Sequence, residues 1–342
     1  MANNMGLQLG TTLFSFTNEF HGRQYTFDQL IAKIAEYDLG PGVEIVGFSH
    51  IRGYPNVSDE FAAHFRNLLA KHGLVSSCLS MNADILLQPD KPMTTEECVA
   101  YHEMQVETAA KLGIPIAKYQ FVAGTEVIRR LLPKAERLGI KLGMEIHAPD
   151  KVNCPMVLEF REMYAKENSP YLGFVPDFGS TAKTVSPAFI RYFRDLKIPE
   201  PLIDLCKQIW VQPDDLGNLH GKISIFSQQA RAAGFREVDI AECFILFGLF
   251  SRQEPRAWLE IMPQIIHLHG KFYHFDESGS ESAIPYEDIL PVFIEGGYNG
   301  YMSSEWEGHF FCDDDGIEMV KKHHGLCKRI LAKHAKPAQV TA

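Results

Sequence analysis

No surplus of positive charge is present. Across 342 residues, 33 lysines and arginines face 43 aspartates and glutamates, a formal charge of −10. A chain that holds nucleic-acid phosphates generally presents a basic face, so neither nucleic acid nor an anionic membrane is an expected partner. No CxxC occurs among the seven cysteines, which are odd in number and scattered. Reduced thiols are expected, rather than a disulfide frame or a zinc ribbon. The opening MANNMGLQLG has neither a basic segment nor an apolar one, so no secretory signal is read there and a cytoplasmic location is expected. Apolar runs such as FILFGLF at 244–250 are far too short to span a bilayer. No low-complexity linker divides the chain.

What is present is an alternation of short apolar runs with amphipathic stretches. LGTTLFSF (9–16), GVEIVGFS (42–49), LVSSCLSMN (74–82), IPIAKYQFV (114–122), IKLGMEIHA (140–148) and YLGFVPDFG (171–179) read as strands. Helices follow them: from about Thr26, with Gln29 at capping-box spacing; from Ser58 to Lys71, closed by Gly73; from Thr94, with Glu97 three residues on, to Gly113; from Thr125 to Leu138, closed by Gly139; and one ending near Asn168. One strand and one helix per roughly 30 residues imply parallel strands joined by crossovers. A seventh strand, IIHLHGKFY (265–273), arrives after a long helical stretch, and an eighth follows at 299–307. Eight such units predict a (β/α)8 TIM barrel. The rival, an open doubly wound sheet, needs a glycine-rich phosphate loop after its first strand, and GTTLFSFTNEF is not one. The expected organisation is one domain over 1–342, with 180–262 as a helical excursion between strands six and seven.

Barrel enzymes place their chemistry at the C-terminal strand ends. Strand five ends in Glu145 and His147, strand six in Asp177, strand seven carries His267, His269 and Lys271, and strand eight ends in Ser303, Glu305 and Glu307. Residues two apart on a strand share a face. Four consecutive strands therefore offer carboxylate, carboxylate, imidazole and carboxylate to one point, with either histidine able to supply the imidazole. Three carboxylates so close repel unless a cation lies between them. Oxygen donors with one nitrogen suit Mn2+, Mg2+ or Co2+ better than a structural zinc.

These motifs, GMEIHAP, GFVPDFGS, IIHLHGKF and YMSSEWEGH, in this order, resemble the xylose-isomerase-like sugar isomerase/epimerase superfamily over nearly the whole chain. The resemblance implies that Glu145, Asp177, His269 and Glu305 bind one Mn2+ or similar ion. His267 would then support the centre or meet substrate. The long segment before strand seven, with EIHAP and EWEGHFF, resembles more narrowly the large subunit of bacterial C-glycoside deglycosidases. That implies cleavage of the carbon–carbon bond of 3-oxo-C-glucosides and a small β-type partner subunit. A keto-sugar isomerase, epimerase or dehydratase is the alternative. A non-catalytic binding subunit is disfavoured by the complete tetrad, and an abasic-site nuclease by the acidic charge.

Both enzymatic readings need a base beside a sugar ketone. His147 is the first choice, one pleat beyond Glu145 and ordinarily titrating near neutrality. Glu145 and Glu305 are the alternatives, and Lys271 could hold an oxyanion. Of the aromatics near strand ends, Phe14, Phe16, Phe48, Tyr119, Phe121, Phe178 and Trp306, most are expected in the core. HFDE at 274–277 reads as loop, and KKHHG at 321–325 as solvated helix. The LFGLF content of the excursion is expected to supply apolar surface for a partner or a lid.

Overall fold

The computed structural model describes residues 6–83, 85–87, 90–213 and 219–334. Eight parallel strands form the barrel: β1 (Leu7–Thr12), β2 (Gly42–Val46), β3 (Val75–Ser80), β4 (Ile116–Tyr119), β5 (Lys141–Ile146), β6 (Leu172–Pro176), β7 (Leu268–Phe272) and β8 (Gly300–Trp306). Their order is β6-β5-β4-β3-β2-β1-β8-β7. The ring closes between β6 and β7 through two isolated bridges, Phe174 with Ile265 and Asp177 with His269.

Several strands end sooner than the apolar runs suggest. β1 stops at Thr12, whose hydroxyl accepts a hydrogen bond from Phe14 N and turns Leu13–Phe16 into a 3-10 helix. β2 gives way to a helical turn at Gly47–His50, and β4 to a 3-10 turn at Phe121–Ala123.

The surrounding helices begin and end where the local chemistry directs. Thr26 with Gln29 and Thr94 with Glu97 form reciprocal capping boxes, each satisfying two N–H groups at a helix start. Gly113 and Gly139 adopt left-handed φ of 73° and 70° and close their helices, a conformation that costs glycine little.

Between β6 and β7 the chain runs through helices Pro187–Asp195, Glu200–Val211, Leu219–Ala232, Glu237–Glu242 and Phe244–Leu249, then a 3-10 segment, Pro255–Gln264. This excursion packs on the barrel rather than standing away from it. Phe250 meets Tyr273, directly after β7, with ring centroids 4.5 Å apart, and Phe189 meets Phe311, beyond β8, at 4.0 Å. The expectation that LFGLF offers apolar surface is corrected here. Leu246, Phe247 and Phe250 are buried within the chain's own core, because the short helices are too small to bury one another without them.

A second correction concerns KKHHG. His323 and His324 are both buried. His323 stacks on Phe272 at 4.3 Å and meets Ser304 Oγ at 2.7 Å, and His324 Nε2 reaches Gly10 O at 3.2 Å. The two lysines lie on the outer side of helix Gly316–His334, while the two histidines pack on the barrel wall. No helix among the described residues is long and apolar enough to cross a membrane.

Candidate metal centre

Glu145, Asp177, His269 and Glu305 come from the ends of four consecutive strands, and one donor atom of each lies within 4.8 Å of the others. All four are buried. His269 Nδ1 is 2.8 Å from Glu145 Oε1 and 3.1 Å from Glu305 Oε1. Yet neither Nδ1 nor Glu305 Oε2 has a well-directed hydrogen bond. Two of the four residues thus carry a buried donor atom without a hydrogen-bond partner. Buried polar atoms are seldom left so. Separations near 3 Å match neighbouring donors around a small cation with bonds of about 2.1 Å. The donor set fits a divalent ion.

Two lysines border the cluster. Lys118 Nζ, from β4, lies 2.7 Å from Glu145 Oε2. Burial pushes Glu145 up, but Lys118 and His269 overrule it and hold the carboxyl well below its ordinary range. Lys271 Nζ lies 2.7 Å from Asp177 Oδ2 and 3.1 Å from Glu307 Oε2. Glu307 also accepts from the Tyr273 hydroxyl at 2.5 Å. Burial pushes Glu307 up, and Lys271 and His147 outweigh it downward. Burial also raises Asp177, a change that Lys271 and His147 oppose without cancelling.

His147 stands above this layer. Its side chain is 25% exposed, whereas Asp177 and Lys271 are exposed by 1% or less. Nδ1 contacts Ala148 O at 2.5 Å, and Nε2 contacts Lys271 Nζ at 2.7 Å. Burial and the Lys271 ammonium push the imidazole toward its neutral form; Asp177 and Glu307 outweigh them and raise it to about 9. The contact with Lys271 leaves room for one proton between the two nitrogens, so the ammonium can donate to Nε2 only while the imidazole is neutral.

A cavity of about 460 Å³ opens over the centre. Glu145, His147, Lys118, Lys271, Glu305 and Glu307 line its floor side. Asp177 and His269 do not line it and sit behind them. The opposite wall is apolar and includes Phe14, Phe48, Leu86 and Val122, with Phe48 55% and Leu86 64% exposed. Phe16, Tyr119, Phe178 and Trp306 are buried as core, whereas Phe121 is exposed.

The structure brings Glu145, His147, Asp177, His269, Lys271, Glu305 and Glu307 together at one end of the barrel. His267 is placed differently from one expectation: it is fully buried below the tetrad, against Glu44 and Ser303, and does not line the cavity. Two further members, Glu44 and Lys118, were not read from sequence. The signal was a single charge inside an otherwise apolar strand, in GVEIV and IAKY, a position where a charge persists only with a partner.

A sequence profile of the family described as "Xylose isomerase-like TIM barrel" matches residues 31–324. The chain belongs to this family. It is similar to the C-glycoside deglycosidase alpha subunit of Arthrobacter globiformis, at 40% identity over 336 residues, 97% of this chain and 94% of that one. It is also similar to the 3'-dehydrocarminate deglycosidase alpha subunit of a Microbacterium species, at 38% identity over 339 residues, 95% and 96% of the two chains. Among solved structures, a xylose isomerase-like TIM barrel protein from Mycobacterium smegmatis in complex with magnesium superposes with a TM-score of 0.55 at 14% identity, covering 97% of this chain and 99% of that one. That last likeness is one of fold.

Proposed function

We propose that this chain is the catalytic subunit of a C-glycoside deglycosidase. In this reading Glu145, Asp177, His269 and Glu305 hold one divalent cation, Mn2+ or else Mg2+ or Co2+, in the cytoplasm. The observation that carries the reading is the exposed face of His147 on the cavity floor, beside a buried four-donor cluster that suits a cation. Its support from relatives is the identity of 38–40% with deglycosidase alpha subunits over nearly the whole chain.

A ketone at C3 of the glucosyl unit acidifies the neighbouring C2–H. The cation, when bound, supplies Lewis acidity that favours enolate formation. His147, in the neutral form that the Lys271 ammonium favours, takes the C2 proton. Lys271 has Asp177 and Glu307 as alternative partners, so it can release Nε2 for this step. The electron pair then forms the C1–C2 double bond, and the C1–aryl bond breaks. With a phenol ortho to the glycosidic carbon, the aryl carbon is first protonated as the keto tautomer, the phenol O–H proton being lost as His147 returns its own. The bonding pair then restores the aromatic ring, so the products are an unsaturated 3-oxo sugar and the free aglycone. Glu145 and Glu305, both lining the cavity, are the alternative bases. The apolar wall with Phe14 and Phe48 suits an aromatic aglycone.

The relatives' designation as alpha subunits supports a second, small subunit as partner. The second reading, a keto-sugar isomerase, epimerase or dehydratase, draws on the same acidified C–H with both Glu145 and Glu305 at the cavity. One assay separates them. The protein, purified alone and with a co-expressed partner subunit, is incubated with a 3-oxo-C-glucoside and with free ketohexoses. Release of aglycone is expected. Epimerised ketohexose without aglycone would replace the first reading by the second.

A further inference from the structure

Below the tetrad, a polar group crosses the barrel interior. Glu44 projects from β2, His269 from β7 and His267 from the residue just before β7, with β1 and β8 lying between those strands in the sheet. Glu44 is fully buried, and both its oxygens are occupied. Oε1 accepts from Ser80 Oγ at 2.8 Å and lies 2.8 Å from His269 Nε2. Oε2 lies 2.9 Å from the same nitrogen and 3.1 Å from His267 Nε2, which in turn meets Ser303 Oγ at 2.9 Å.

We propose that Glu44 is a positioning residue for His269: it holds Nε2–H from across the barrel and so turns Nδ1 toward Glu145 and Glu305. The inference rests on the reading of the tetrad as a cation site. A ring nitrogen that donates to a carboxylate leaves the opposite nitrogen as the lone-pair donor, and such a partner sets both tautomer and ring orientation. Here the two nitrogens face different groups. Nε2 lies 2.8 Å from Glu44, which is outside the tetrad, and Nδ1 lies 2.8 and 3.1 Å from the tetrad carboxylates of Glu145 and Glu305.

Glu44, His267 and His269 are themselves close enough together to be considered as a separate cation site. Their bonding speaks against that. Both Glu44 oxygens already lie at hydrogen-bond distance from Ser80 and the two histidines, whereas Glu305 Oε2 in the tetrad has no hydrogen-bond partner. In the deep group the carboxylate is occupied and only His267 Nδ1 is open besides the nitrogen that His269 turns to the tetrad. Ser80, from β3, and His267, just before β7, complete the hold on Glu44, so the carboxylate itself has little freedom to rotate.

The test compares Glu44→Leu, which removes the acceptor at similar volume, with Glu44→Gln, which keeps an acceptor oxygen. Titration of each purified protein with Mn2+ by calorimetry gives stoichiometry and Kd, and circular dichroism in EDTA checks the fold. Glu44→Leu is expected to bind about 10–100-fold more weakly, and Glu44→Gln to recover most of the loss. Unchanged Kd in folded Glu44→Leu would overturn the positioning role while leaving the cation site standing. Absence of Mn2+ binding by the unsubstituted protein would overturn both. Should Glu44→Leu not fold, nitrogen-15 histidine spectra of the unsubstituted protein loaded with Zn2+ decide: protonated Nε2 with Nδ1 shifted by the ion is expected, and the reverse assignment refutes the proposal.

Discussion

Lys118 Nζ lies 2.7 Å from Glu145 Oε2, with both side chains almost wholly buried. The contact places a fixed positive charge against a carboxylate that also faces the tetrad. Removing one partner of a buried pair leaves an uncompensated charge, at a cost of about 3–5 kcal/mol. Lys118→Met is therefore expected to lower the melting temperature of EDTA-treated protein, and to lower it less when Mn2+ is present. Equal losses under both conditions would show that Lys118 and the cation do not share the charge of Glu145.

Asp177 and Glu305 each contribute a buried carboxylate to the centre. Asp177→Asn and Glu305→Gln replace an anionic donor by a neutral one at nearly constant volume. Both should reduce metal content, measured by elemental analysis after dialysis, and activity should fall with it. EDTA treatment of the unsubstituted protein should abolish turnover, and Mn2+ should restore it. Full turnover by rigorously metal-free protein would remove the cation from the mechanism.

His147→Gln separates the base from the centre. The side chain borders the cavity and is not among the four clustered donors. Its kcat should fall by about 10²–10⁴ with metal content near that of the unsubstituted protein. Normal turnover would return the base role to Glu145 or Glu305, and lost metal would make His147 part of the centre.

Two buried histidines away from the centre set an acid limit on stability. Burial holds His50 and His324 down to about 4, against an ordinary value of 6.5. The unfolded chain therefore binds protons between pH 6.5 and 4 that the folded chain refuses. Stability is full above 6.5 and falls as the pH drops toward 4, by about 3 kcal/mol at most for each ring. Thermal melts from pH 7.5 to 4.5 should show the decline, and His324→Gln should flatten part of it. A melting temperature independent of pH over this range would exclude the effect.

The tetrad was legible because alternation along a strand is strict. Glu145, Asp177, His269 and Glu305 stand at the ends of apolar runs, where a barrel gathers its polar groups, and the i, i+2 rule set His147, Lys271 and Glu307 beside them. Glu44 and Lys118 escaped because each is a lone charge within a strand, and its partner lies on another strand far away in sequence. His323 and His324 were misread because Lys321 and Lys322 next to them suggest a solvated face. A helix turns about 100° per residue, so residues two positions apart, as Lys321 and His323 or Lys322 and His324 are, lie on nearly opposite sides. The burial of LFGLF could not be read from composition, since apolar content alone does not tell a surface from a core.

The barrel has one joint unlike the others. Where β6 meets β7, two single bridges replace a continuous ladder, and one of them pairs Asp177 with His269. The whole excursion leaves and re-enters the ring at that joint. A cation shared by these two residues would act as a clasp across the gap, so that loading the site would also tighten the ring. Amide hydrogens of residues 174–177 and 265–269 would then exchange more slowly in the loaded protein than after chelation, while those between β1 and β2 would keep their rates.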